Sequence, residues 1–131
     1  MKKPYRYQGL VDYIAGRYMS AVEIGIGSFP DVAFALQKRG VQVFATDILP
    51  FYYKGLKIIK DDIMEPDLST YSSIELIYSL RPPFELIPFM LRLAKKIKAD
   101  LIVKPLHSEY PEGKLMCHET TTFFLWSFQL R

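Results

Sequence analysis

The chain has 131 residues, half of them apolar and 15% aromatic, which suits a single domain spanning 1–131 with a real core and argues against a disordered tail. Its longest apolar stretch, Thr122 to Leu130, is broken by Ser127 and Gln129 and falls far short of the roughly 20 residues of a membrane span, and the Tyr, Arg, Gln and Asp that follow Lys2 and Lys3 do not make a signal peptide. The net charge of +3 is mild and scattered, so it neither supports nor excludes a nucleic-acid partner, and the lone Cys117 forbids an intrachain disulfide and fits a reducing cytoplasm.

Apolar residues at Leu10, Val11, Ile14, Ala15 and Tyr18 have helical spacing, so a helix is predicted over Gln8–Tyr18, weakened at its end by Gly16. Ala21–Ile24 is a short strand that runs into Gly25-Ile26-Gly27. Pro30 and Asp31 open a second helix, and Gly40 ends it. Val41–Thr46 is a strand closed by Asp47, followed by an irregular aromatic stretch, Phe51 to Gly55. A strand at Lys57–Lys60 ends at Asp61-Asp62, and one at Ile74–Ser79 is stopped by Arg81-Pro82-Pro83. Leu86, Phe89, Met90, Leu93 and Ile97 share one helical face, with Pro88 in the first turn. Lys95, Lys96 and Lys98 then suit the helix C-terminus rather than a nucleic-acid patch. A strand at Leu101–Lys104 is stopped by Pro105, His107 to Gly113 is a loop, and Thr120–Gln129 is a last strand with Lys114–Cys117 as its candidate partner.

Strands alternating with helices predict an α/β, Rossmann-like, doubly wound domain. The sheet is expected to be mostly parallel, of about six strands, covered on both faces, with an antiparallel C-terminal strand because no helix precedes it. The absence of Asn and the frequent Lys, Glu and Ile lean toward a thermophile.

Ligands of such sheets sit beyond the carboxyl ends of the strands. Those ends carry Gly25 and Gly27, then Asp47, Asp61 and Asp62, then Ser79 and Arg81, then Pro105 and His107. The glycines let backbone approach a ligand. Asp47 follows Gly27 by 20 residues, the interval at which an acid at the second strand's end accepts from both ribose hydroxyls. The pattern therefore points to an adenosine-containing small molecule. A dinucleotide site wants Gly or Ala where Pro30 stands, and the acid Glu23 beside the glycines would repel a pyrophosphate. Glu23 suits a cationic ligand, and S-adenosylmethionine carries a sulfonium and an ammonium and no phosphate. NAD or another adenine nucleotide is the alternative.

Val22-Glu23-Ile24-Gly25-Ile26-Gly27 resembles the first motif of the class I S-adenosylmethionine-dependent methyltransferases, over roughly Leu10 to Leu106. The chain as a whole is similar to a family of short archaeal proteins related to these enzymes, whose membership implies the fold and no activity. The resemblance implies cofactor contacts at Glu23, Gly25, Gly27, Asp47 with the adjoining Ile48, and Asp62-Ile63 at the adenine, with Asp61 as the other register. Amino-methylating relatives carry Asp or Asn, two prolines and an aromatic residue at the fourth strand's end. This chain has Arg81-Pro82-Pro83-Phe84, and Arg81 cannot accept a hydrogen bond. Arg81 is instead a candidate for holding a substrate carboxylate or phosphate. His107 is a candidate general base with an ordinary loop histidine as its alternative, and Cys117, His118 and Glu119 match no metal pattern. Phe51, Tyr52 and Tyr53 are candidates for stacking on adenine, for a partner surface or for core packing. A chain this short leaves the substrate site to its loops, its N-terminal helix, a second copy or a protein partner. An inactive, methyltransferase-like interaction subunit and a nucleotide-binding module without catalysis are the competing roles.

Overall fold

The computed structural model describes residues 6–105 and 112–129. His107 therefore lies outside the described residues. Among those described, seven strands form one sheet: β1 Ser20–Ile24, β2 Gln42–Asp47, β3 Ile58–Lys60, β4 Leu76–Leu80, β5 Asp100–Lys104, β6 Lys114–His118 and β7 Thr121–Trp126. Their order is β3-β2-β1-β4-β5-β7-β6. The first five run parallel, and β7 lies antiparallel between β5 and β6. The expected antiparallel C-terminal strand is present. The candidate partner at Lys114–Cys117 is a full strand, which makes seven rather than about six.

Among the described residues three α-helices accompany the sheet: α1 Gln8–Ala15, α2 Asp31–Lys38 and α3 Ile87–Ile97. Leu10, Val11 and Ile14 of α1 and Val32 and Leu36 of α2 pack with Ala21, Tyr78 and Ile102 on one face. Met90, Leu93 and Ala94 of α3 pack with Val22, Ile77 and Leu101 on the other. Each large apolar side chain buried this way contributes about 1.5–3 kcal/mol. No helix among the described residues is long and apolar enough to cross a membrane.

Element ends follow local chemistry. α1 stops at Ala15 rather than Tyr18, because Gly16 caps it. Tyr18 instead turns inward and donates from its hydroxyl to Asp100 Oδ2 at 2.7 Å. The N–H groups of Phe128 and Gln129 both donate to Asp100 Oδ1 at 2.9 Å. Asp100 is fully buried and accepts all three. This explains why β7 ends at Trp126 and does not reach Gln129. β4 starts at Leu76 rather than Ile74, since the Glu75 N–H is taken by Ser20 Oγ and its carboxylate by the Met19 N–H. Pro30 sits just before α2, and Pro88 falls in the first turn of α3, as its missing N–H requires.

The parallel register aligns the strand ends that matter. Ile24 pairs with Thr46, Asp47 with Lys60, and Leu80 with Lys104. The carboxyl ends of β1 to β5 therefore open on one edge, and Asp47, Asp61, Arg81 and Lys104 stand along it.

Candidate functional site

The turn after β1 reverses direction through two left-handed residues, Gly25 at φ +74° and Gly27 at φ +54°. An L side chain is strained in this region, and glycine is not. A Cβ placed on either glycine would meet nothing within 4 Å, so the space above both is open. Four amides of the turn are already committed. Gly25 and Ile26 N–H donate to Thr46 O, Gly27 N–H to Asp47 Oδ2 at 2.9 Å, and Phe29 N–H to Ile26 O. A pyrophosphate cradle needs such amides free and pointing at the ligand. This turn offers shape rather than donors.

Asp47 closes the motif from β2. Its Oδ2 accepts from Gly27 and its Oδ1 from the Leu49 N–H at 3.0 Å. A carboxylate has about four acceptor positions, so two remain for a diol. The Tyr53 hydroxyl donates to Gly27 O at 2.6 Å and braces the turn from beneath. Of the aromatic trio, Phe51 and Tyr53 pack beside Ile26 and Ala45, and Tyr52 is 83% exposed. Core packing therefore accounts for two of the three.

The two acids after β3 separate cleanly. Asp61 accepts from the buried Tyr71 hydroxyl and from the Asp67 N–H, so it is tied into the framework. Burial first, and then the Asp61 bond, push the Tyr71 phenol well above its ordinary range, so it stays a donor. Asp62 makes only a local turn, accepting from the Met64 N–H, and lines the same cavity as Asp61 and Ile63. Of the two registers, Asp62 is the one left available for a ligand.

A cavity of about 350 Å³ opens over this edge, lined by Gly25, Asp47, Ile48, Asp62 and Ile63, with Met90 of α3 on its far wall. Ser79, at its base, donates to Ile24 O at 2.8 Å and joins the ends of β1 and β4. A second cavity of about 430 Å³ continues past Gly25, Leu80 and Arg81 and is lined by Glu23, Arg6, Tyr7 and Phe29. Gly25, Leu80 and Arg81 line both compartments. The pair forms one bent cleft within the size range of small-molecule sites.

Glu23 lies at the floor of the second compartment, 1% exposed. It is adjacent to Tyr78 in the β1–β4 register, and the Tyr78 hydroxyl donates to its Oε1 at 2.8 Å. Its other oxygen has no partner among the described residues. Desolvation outweighs the Tyr78 bond and raises its pKa from 4.5 to about 8. An acid that is neutral when alone, yet open to a cavity on one oxygen, is set to ionise when a cation arrives.

Glu23, Gly25, Asp47, Ile48, Asp62, Ile63 and Arg81 thus meet in one cleft, while Gly27 shapes it through the Asp47 bond. Arg81 holds a left-handed backbone at φ +55° and donates its N–H to Lys104 O at 2.6 Å. Among the described residues no group of three His, Cys, Asp or Glu side chains is placed to hold a metal. Arg6, Tyr7 and Lys104 line this edge without having been singled out in the sequence. Lys104 alone carried a signal there, as the last residue of a strand's carboxyl end.

Residues 8–127 match a family described as an uncharacterised protein family, UPF0146. A UPF0146 protein of Archaeoglobus fulgidus is 40% identical over 118 residues, covering 88% of this chain and 91% of that one. Among solved structures, an O-methyltransferase family protein from Burkholderia thailandensis superposes with a TM-score of 0.63 at 8% identity, covering 94% of this chain and 56% of that one. A 1,6-didemethyltoxoflavin-N1-methyltransferase from the same organism, solved with S-adenosylhomocysteine, gives a TM-score of 0.53 at 14% identity, covering 92% and 58%. The chain thus spans little more than half the length of these two structures. At such identities the likeness is one of fold, and the fold is methyltransferase-like.

Proposed function

We propose, for a chain that belongs to the archaeal UPF0146 family, the role of an S-adenosylmethionine-binding protein that transfers a methyl group to a small acceptor. The observation that carries the reading is the buried, half-partnered Glu23 facing a cleft whose opposite end holds Asp47 and Asp62. Asp47 would take the ribose hydroxyls, Asp62 and Ile63 the adenine, and Glu23 the ammonium of the methionine part. The open space over Gly25 and Gly27 would receive the ligand backbone. When bound, S-adenosylmethionine supplies a methyl group on a sulfonium, and what it asks of the protein is mainly positioning and exclusion of water. Leu80, which lines both compartments, and Phe29 of the second supply apolar walls.

Two features weigh against NAD. The committed amides of Gly25, Ile26, Gly27 and Phe29 leave little for a pyrophosphate. The antiparallel β7 also departs from the all-parallel order common in dinucleotide folds. A second reading, an interaction subunit, draws support from Ile48, Leu49 and Tyr52, all more than half exposed at the cleft rim. The same rim would allow a protein partner or a second copy to complete the acceptor site. The single thiol of Cys117, which is exposed, fits a cytoplasmic location.

The test is thermal melting with millimolar S-adenosylmethionine, S-adenosylhomocysteine, NAD or ATP. A ligand at 100 times its Kd adds about 2.7 kcal/mol to stability. A shift with S-adenosylhomocysteine and none with NAD supports the reading. No shift with either sulfur compound overturns it.

A further inference from the structure

Beyond the cofactor cleft, a third cavity of about 380 Å³ adjoins it, lined by Arg6, Arg81 and Lys104 together with Tyr7 and Thr121. Arg6 and Arg81 also line the Glu23 compartment, so the two cavities share a wall. The three cations come from three places: the position two residues ahead of α1, the residue after β4 and the last residue of β5. Two of them are held in place. The Arg81 N–H bonds Lys104 O, which sets these residues side by side. Lys104 Nζ donates to Thr122 O at 2.6 Å and to Thr122 Oγ1 at 3.3 Å, which leaves it one proton to give.

None of the three makes an ion pair with a carboxylate among the described residues, whose ion pairs join Arg39 to Asp12 and His118 to Glu119. The acid of the adjoining compartment, Glu23, is held neutral by its burial. The cations feel one another. Partial burial, and then repulsion from Arg6, lower the Lys104 pKa below its ordinary value. Arg81 also keeps a left-handed backbone, which strains an L residue, and such strain persists where a site uses it. Three like charges around one concavity form a site for an anion. A single carboxylate, such as that of a cofactor's methionine part, would answer one of them. A dianionic phosphate answers the remaining pair, with an arginine fork and a lysine point charge as donors.

We infer that the methyl acceptor is a small phosphorylated molecule, whose phosphate sits between Arg6, Arg81 and Lys104 while its reacting atom faces the cofactor cleft. The inference rests on the cofactor reading above for the word acceptor, and on the cavity alone for the phosphate.

Isothermal titration with inorganic pyrophosphate at fixed ionic strength tests it, on the free protein and on protein saturated with S-adenosylhomocysteine. The wild type should bind, and Arg81→Gln and Lys104→Gln should each weaken binding at least fivefold with unchanged melting. Lys38→Gln, which removes an equal charge from the end of α2, should bind as the wild type does. Pyrophosphate should still bind the saturated protein. Absent wild-type binding, unchanged affinity in both variants, or equal weakening by Lys38→Gln would overturn the phosphate site. Displacement by S-adenosylhomocysteine would overturn it too, assigning the cluster to the cofactor's carboxylate. Acetate binding as tightly as pyrophosphate, or a short single-stranded oligonucleotide binding more tightly, would overturn the small phosphorylated ligand. If S-adenosylhomocysteine itself fails to bind, the cofactor reading falls and the acceptor role with it, and the pyrophosphate titration still decides the anion site.

Discussion

Replacing Glu23 by Gln isolates the energetic effect of the buried carboxyl. Gln keeps the side chain's shape and still accepts from the Tyr78 hydroxyl, so the change removes the ionisation alone. In the folded chain Glu23 ionises near pH 8, and in the unfolded chain near its ordinary 4.5. Between those values the folded state holds a proton that the unfolded state has released. The contribution is therefore fully present below about pH 4.5 and is lost as pH rises through 8. The slope is about 1.4 kcal/mol per pH unit, so by pH 7 the wild type should have lost about 3 kcal/mol relative to Glu23→Gln. Every other titrating group is common to both proteins and cancels in the difference. Urea unfolding of both at pH 5.5, 6.5 and 7.5 measures it. The variant should be the more stable, and its advantage should widen with each step. Parallel stability curves would refute the desolvated acid and the cation site built on it.

Asp47→Ala should weaken S-adenosylhomocysteine at least tenfold in calorimetry, since charged hydrogen bonds lost to the ribose cost about 1.5–3 kcal/mol; unchanged affinity would remove Asp47 from the site. Gly25→Ala should cost roughly 1–2 kcal/mol in folding from its φ of +74° and lose ligand binding, because the new methyl occupies the open space over the turn. Asp61→Ala should lower the unfolding free energy by about 1–3 kcal/mol by leaving the buried Tyr71 hydroxyl only its long 3.5 Å bond to Thr46 Oγ1, whereas Asp62→Ala should change stability by less than about 0.5 kcal/mol and act on cofactor affinity. The reverse pattern in melting and titration would assign the adenine contact to Asp61.

Much of this was legible in the chain. The Gly25 to Asp47 interval marks a strand, turn, helix and strand, and the structure closes it with the Gly27–Asp47 bond. Alternating strands and helices implied a parallel sheet covered on both faces. Other features depend on contacts between distant segments. Nothing in Asp61-Asp62 says which acid is tied down until Tyr71 folds beneath one of them. Tyr78 reads as one more apolar residue of β4, and only the register sets it beside Glu23. Arg6 and Lys104 lie far apart in the chain, and the fold brings them to one cavity. Boundaries also shifted where side chains competed with the ladder, as Asp100 does for the amides of Phe128 and Gln129.

The place of β7 has a consequence for how the chain is made. β6 leaves the ribosome before β7, yet its seat in the sheet is on β7 and not on β5. A nascent chain ending at His118 therefore has no edge on which to lay that segment, and β5 stands with an open ladder. The two strands must arrive as a hairpin, late and together. The Asp100 clasp closes last of all, because two of its donors follow that hairpin. Synthesis must pass Trp126 before the sheet can be completed, and until then the exposed edge of β5 is open to a neighbouring chain.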